Sequence, residues 1–217
     1  MDVPKDRLEK FHEKVGQSTV IDEEVALYLL LIDERPGVLV MDPDLDDRKK
    51  LKNFCREYDL SYHYTGGEGE RGLKDKILRT DSRLFKGGFF IAKDEKRFEM
   101  LKSSEGRFYG FSDEAVGKFL GYPEDDIKYF SGNVTDGHIE NPTREKADEL
   151  RSQGKIKEKD LKFLELVDYV PRPEEENILK AINTGKNRHE KIKKIDEKYE
   201  INTGEEILRK LFRSPLN

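Results

Sequence analysis

The sequence predicts an α/β fold: a small sheet of three to four strands alternating with helices, followed by an all-helical C-terminal extension. Three observations predict it. Short apolar runs at 38–41 and 88–92 alternate with segments whose apolar residues recur at helical spacing. Turn residues punctuate the runs, at Arg35-Pro36-Gly37 and in the glycine-rich stretch 66–72. Beyond a linker around the Asp136-Gly137 pair, only helix signals remain. The chain therefore divides into an α/β part, residues 1–135, and a helical part, residues 136–217.

Taken in order, residues 5–14 form a charged helix with Leu8 and Phe11 as its apolar contacts. Residues 22–31 are apolar on nearly every side and predict a buried helix. After the first strand, Leu51, Phe54, Cys55 and Tyr58 make one face of the next helix. Residues 60–64 read as a more polar strand, 73–85 as weakly helical, and 88–92 as the third strand. Asp94 caps a helix carrying Phe98 and Leu101.

The densest local pattern is 111–130, FSDEAVGKFLGYPEDDIKYF. Ser112 caps a helix with Asp113 and Glu114 in its first turn. Gly121 ends that helix in the left-handed conformation, and Pro123 opens a second short helix. In the C-terminal part, Asn141 and Pro142 start a helix reaching Gln153, and 161–170 is apolar-rich up to Pro171 and Pro173. Two further helices are expected at 174–183 and 186–199. Ile182-Asn183-Thr184-Gly185 recurs as Ile201-Asn202-Thr203-Gly204, and each copy is expected to precede a helix start.

Of 217 residues, 40% are charged and 35% hydrophobic, which implies a modest core under a heavily charged surface. The single Cys55 excludes an internal disulfide and any cysteine-cluster metal site. There is no apolar leader at the start, and no apolar run long enough to span a bilayer, so a cytoplasmic protein without membrane partners is expected. Residues 1–141 carry 23 Lys/Arg against 30 Asp/Glu, and the remainder 18 against 16. An acidic body thus precedes a slightly basic tail.

Four patterns bear on function. Asp42 and Asp44, after a strand, have the chemistry to hold Mg²⁺ for phosphotransfer, or they cap the next helix. Gly67-x-Gly69-x-x-Gly72 matches a nucleotide-binding glycine pattern, but Glu68 and Glu70 stand where a pyrophosphate would approach. The helix pair at 111–130 fits a helix-turn-helix outline. Its second helix would present Glu124, Asp125 and Asp126 to the phosphates, which argues against specific DNA recognition. His12, His63, His138 and His189 are scattered and assemble no catalytic set, so no catalytic, cofactor or metal residues are assigned.

The fourth pattern is Lys186-Asn187-Arg188-His189-Glu190-Lys191-Ile192-Lys193-Lys194, with five cations and one acid in nine residues. Either it is a solvated helix face, or Lys186, Arg188, Lys191, Lys193 and Lys194 contact RNA phosphates.

The run Asp113-Glu114-Ala115-Val116-Gly117, then Phe119-Leu120-Gly121-Tyr122-Pro123, then Ile127 and Phe130, resembles an uncharacterised archaeal protein family with an "FLGYP" helix-turn signature. The resemblance covers approximately residues 22–130. Some members place cysteines after the "LGYP", where this chain has Glu124, Asp125 and Asp126, so cysteine chemistry does not carry over. No activity is implied. The leading expectation is a non-enzymatic cytosolic binding protein that contacts RNA, or a ribonucleoprotein such as the ribosome, through its basic C-terminal helix. The alternatives are a Mg²⁺-dependent phosphotransfer or nucleotide-binding module built on Asp42, Asp44 and the 66–72 loop, and a homodimer joined by the C-terminal helices.

Overall fold

The computed structural model describes residues 4–11, 21–41, 43–65, 87–102, 110–133, 140–167 and 169–212. Helices α1 (Lys5–Glu9) and α2 (Ile21–Leu31) precede β1 (Gly37–Met41), α3 (Leu45–Glu57) and β2 (Ser61–Tyr64). Strand β3 (Gly88–Ala92) leads through a 3-10 turn at Glu95–Phe98 into the short α4 (Glu99–Lys102). Then come α5 (Asp113–Leu120), α6 (Glu124–Asn133), α7 (Glu140–Ser152) and α8 (Glu158–Leu161). A 3-10 segment, Lys162–Leu166, precedes the long α9 (Glu175–Tyr199) and the final α10 (Thr203–Leu211). The α/β class with a helical C-terminal region is as the sequence predicts. The stretches expected as a helix at 73–85 and as a linker around Asp136 fall outside the described residues.

The sheet has three strands in the order β1-β3-β2, and both pairings are antiparallel. β1 and β2 therefore run in the same direction with β3 between them, joined by α3 as a split βαβ unit. Val38 stands opposite Ile91, and Val40 opposite Phe89. Side chains alternate across a strand, so Phe89, Ile91, Val38 and Val40 join one core cluster with α1, α2 and α3. Phe90 and Ala92 join a second cluster with Leu101, Val116, Phe119 and Leu120 on the other face. Helices cover β3 on both sides, which is why its sequence, GFFIA, has no polar alternation.

The corner at α5 and α6 forms for the reasons legible in its sequence. The Ser112 hydroxyl accepts the Ala115 N–H at 3.2 Å. Gly121 closes α5 at φ 81° and ψ 28°. Arg97 caps the same end from the β3–α4 turn, donating from Nη2 to the Lys118 carbonyl at 2.7 Å and from Nε to that of Phe119. A Cβ on Gly121 would lie 2.5 Å from Cγ of Pro36. Gly121→Val is therefore expected to lose about 2 kcal/mol or more, from left-handed strain plus this clash, read from denaturant midpoints. An unchanged midpoint would contradict the turn described. Asp126 in the first turn of α6 is buried, and it accepts the Arg172 N–H at 2.8 Å and the Asn177 amide at 3.3 Å. Burial nevertheless pushes its carboxyl above the usual range. The corner is thus anchored to the α9 approach, and this face of α6 is turned inward.

One expectation for the C-terminal part needs correction. Residues 174–183 and 186–199 are not two helices; α9 runs unbroken through Asn183, Thr184 and Gly185. Gly185 is there because α9 lies against the 3-10 segment, where a Cβ would come within 1.9 Å of the Phe163 carbonyl oxygen. Only the second Ile-Asn-Thr-Gly copy opens a helix, α10. The side chain of Asn202 makes no capping bond there; instead Asp196, reaching across from α9, accepts the Gly204 N–H at 3.1 Å and the Glu205 N–H at 2.7 Å. Ile207, Leu208 and Leu211 of α10 enter the same core cluster as Leu8, Tyr28 and Val38. The line near residue 135 thus separates types of secondary structure, while the main core draws on both sides of it.

Candidate nucleic-acid interface

Helix α9 has a buried side formed by Ile178, Ala181, Ile182, Gly185, Arg188, Ile192 and Asp196. This sorts the five basic residues singled out in the sequence. Arg188 is buried, with Nη1 donating to the Leu166 carbonyl at 2.6 Å and Nη2 to that of Glu34 at 3.3 Å. It ties three segments together and is not presented for RNA contact, which corrects its place in the expected set. Lys191 is half-buried and pairs with the Glu34 carboxylate at 2.6 Å. Lys186 pairs with Asp160 at 3.0 Å. Lys193 and Lys194 are exposed, and neither has an ion-pair partner among the described residues.

Two surfaces result. The first is a stripe along α9. Lys180, Thr184, Asn187, Lys191, Lys194 and Lys198 follow one another at spacings of three or four residues and share one helix face. The stripe spans about 27 Å at 1.5 Å per residue. Between Lys180 and Lys198 it contains no acid of its own helix; the exposed Glu176 continues it one turn before Lys180, Glu190 and Glu197 lie beside it, and Asp196 is on the buried side. Lys180, Asn187, Lys194 and Lys198 are exposed. The Lys198 ammonium lies 4.8 Å from the centre of the Tyr199 ring. Glu34 approaches from another element, at Lys191.

The second surface is a cluster of rings and lysines on the opposite flank of α9. His189 sits 5.3 Å from Phe163 and 6.0 Å from Phe212, ring centre to ring centre. Phe163 and Phe212 meet edge to face at 6.3 Å, and both are half-buried. The exposed Lys162 lays its ammonium 5.2 Å from the Phe163 ring and 4.9 Å from the Phe212 ring. Each such exposed contact contributes about 0.5–1 kcal/mol. Lys186 stands 5.8 Å from Phe163. Burial among the rings, then the nearby Lys193, push the His189 imidazole below its ordinary pKa, so it is uncharged at neutral pH. Glu190 approaches its Nδ1 at 3.6 Å.

The other sequence candidates resolve differently. Asp44 is the N-cap of α3, its Oδ1 accepting the N–H groups of Asp46 and Asp47 at 2.8 Å each. Those bonds, that of Asp47 foremost, hold its carboxyl below the usual range. Asp42, the 66–72 loop, His12 and His138 lie outside the described residues. Among the described residues no group of His, Cys, Asp and Glu has the arrangement to hold a metal ion, and no helix is long and apolar enough to cross a membrane. Helices α9 and α10 turn their apolar residues into the chain's own core, which leaves the homodimer reading without an apolar face on them.

The sequence reading missed Lys180, Lys198 and the ring cluster. The helical period carried through Gly185 would have found the stripe. Comparison with protein-family models, curated proteins and solved structures finds no match to this chain.

Proposed function

We propose that the protein is a non-enzymatic binding protein that contacts RNA, alone or within a ribonucleoprotein such as the ribosome, through α9. The observation that carries this reading is the stripe of Lys180, Lys191, Lys194 and Lys198, with Thr184 and Asn187 between them and no acid of α9 between its ends. Ammonium groups repeated along a rigid helix match a phosphate backbone, and the Asn187 amide adds a neutral donor, while the Thr184 hydroxyl donates to the Lys180 carbonyl at 2.9 Å. Such a stripe is unusual on a chain with a net charge of −5, which repels polyanions elsewhere.

Lys194→Glu with Lys198→Glu tests this, because both residues are exposed and neither touches the core. Lys191 is a poorer choice, since its reversal would set a glutamate against Glu34. The double variant is expected to bind RNA at low salt about tenfold or more weakly than the parent. Its log–log salt slope should be shallower by roughly 0.7 per lost phosphate contact. Thermal stability should change by less than about 1 kcal/mol. Equal binding by parent and variant, or no binding by the parent, would remove the proposal.

A further inference from the structure

Phe163, Phe212 and His189 form a ring cluster, and the Lys162 ammonium lies over the two phenyl rings. Phe163 and Phe212 are half-buried, one in a 3-10 segment and one at a helix end. Among the described residues Lys162 lies over both rings, and it is itself exposed. A lysine ammonium over an exposed ring is a weak and mobile cover. A nucleobase stacked on the same ring is held more strongly, and any base serves because each has a π face. The displaced ammonium would remain within reach of the strand's phosphates. Lys186 and Lys193 flank His189 on the same side of α9, at i−3 and i+4. Opposing charge at the cluster comes from Asp160, bound to Lys186, and from Glu190 beside His189.

We infer that this cluster is a stacking site for an unpaired base of single-stranded RNA, with Lys162 as a displaceable cover and Lys186 and Lys193 receiving the adjoining phosphates. The inference rests on the RNA reading above and deepens it, because a stacking site selects single strands whereas the α9 stripe alone does not. His189, its side chain only 14% exposed, packs against both phenyl rings and backs them without placing a buried charge beside the lysines.

The test uses the whole chain and an oligouridine strand carrying one 2-aminopurine, free or annealed to oligoadenosine. The single strand is expected to bind about tenfold more tightly than the duplex, with 2-aminopurine fluorescence quenched on binding. Phe212→Leu should abolish the quenching while leaving the weaker, salt-sensitive binding of the stripe. Lys162→Glu is a second variant that leaves the core untouched. It should weaken single-strand binding several-fold and reduce the salt slope by roughly 0.7. If RNA binds without quenching, or the duplex binds as well as the single strand, the stacking site is overturned and the stripe reading survives. If the parent binds no RNA at low salt, both fall. If Phe212→Leu fails to fold, the response of Lys162→Glu decides, and unchanged affinity in that variant overturns the inference.

Discussion

Asp196→Ala is expected to destabilise the protein by about 3 kcal/mol or more. The carboxylate of Asp196 is buried and holds three donors: the Gly204 and Glu205 N–H groups that open α10, and the Tyr28 hydroxyl at 3.3 Å. Tyr28 is fully buried in α2, so its hydroxyl finds no water when the acceptor is removed. Each donor left unsatisfied costs roughly 1–3 kcal/mol, with the partly exposed Glu205 end at the low side. Burial is the larger influence on the carboxyl and pushes its pKa up, despite the three donors that favour the ionised form. Part of the loss is therefore offset by removing a poorly solvated group, which is why the estimate stays near the lower bound. Thermal unfolding should move down by on the order of 6–12 °C for a chain of this size. Tyr28→Phe, which removes one donor and keeps the packing, should cost only about 1 kcal/mol. A loss below 1 kcal/mol in Asp196→Ala would show that α10 does not depend on this cap.

Gly185→Ala sets two effects of opposite sign against each other. By intrinsic propensity, alanine in mid-helix is better than glycine by about 1 kcal/mol. By packing, its Cβ would stand 1.9 Å from the Phe163 carbonyl oxygen, 2.8 Å from the carbonyl carbon and 3.1 Å from Cβ. A backbone atom cannot rotate out of the way, so α9 and the 3-10 segment must separate. That separation pulls on Leu166, whose carbonyl holds Arg188. Overpacking of this kind costs roughly 1–3 kcal/mol and sometimes more. The packing effect wins, and a net loss of about 2 kcal/mol or more is expected. Gly132→Ala in α6 is the control, because among the described residues a Cβ there meets nothing within 4 Å. It should stabilise by about 0.5 kcal/mol. Destabilisation in the control, or stabilisation at Gly185, would contradict the close approach.

The sheet and the α5–α6 corner were legible because their determinants are local. Gly88–Ala92 is apolar at every position, and Ser112, Gly121 and Pro123 each act on the backbone within a turn of themselves. The interface was legible only in part, because a run of cations in sequence is not a face in space. A helix turns about 100° per residue, so five cations within nine residues are dealt around the cylinder. Arg188 went to the core, Lys186 and Lys193 to the rings, Lys191 and Lys194 to the stripe. Reading Asn183-Thr184-Gly185 as a stop cut α9 in two and hid the period that joins Lys180 to Lys198. Glycine looked like punctuation, whereas the partner that demanded it, the Phe163 carbonyl, lies 22 residues away in sequence. The rings gave no local signal, since Phe163, His189 and Phe212 come from three separate segments.

The main core is closed by residues far apart in the sequence: the Thr203 hydroxyl donates to the Leu8 carbonyl at 3.1 Å, and α10 lies on α2. During synthesis α2 leaves the ribosome long before α10 exists. At 5–20 residues per second the interval is on the order of 10–30 s. Through that time Tyr28 and the leucines around it lack the α10 side of their packing. Completion of this core thus waits on synthesis of α10, and contacts of such long sequence separation make the final docking slow. A nascent chain stalled before α10 should be protease-sensitive throughout its first half, even though every strand of the sheet has already emerged.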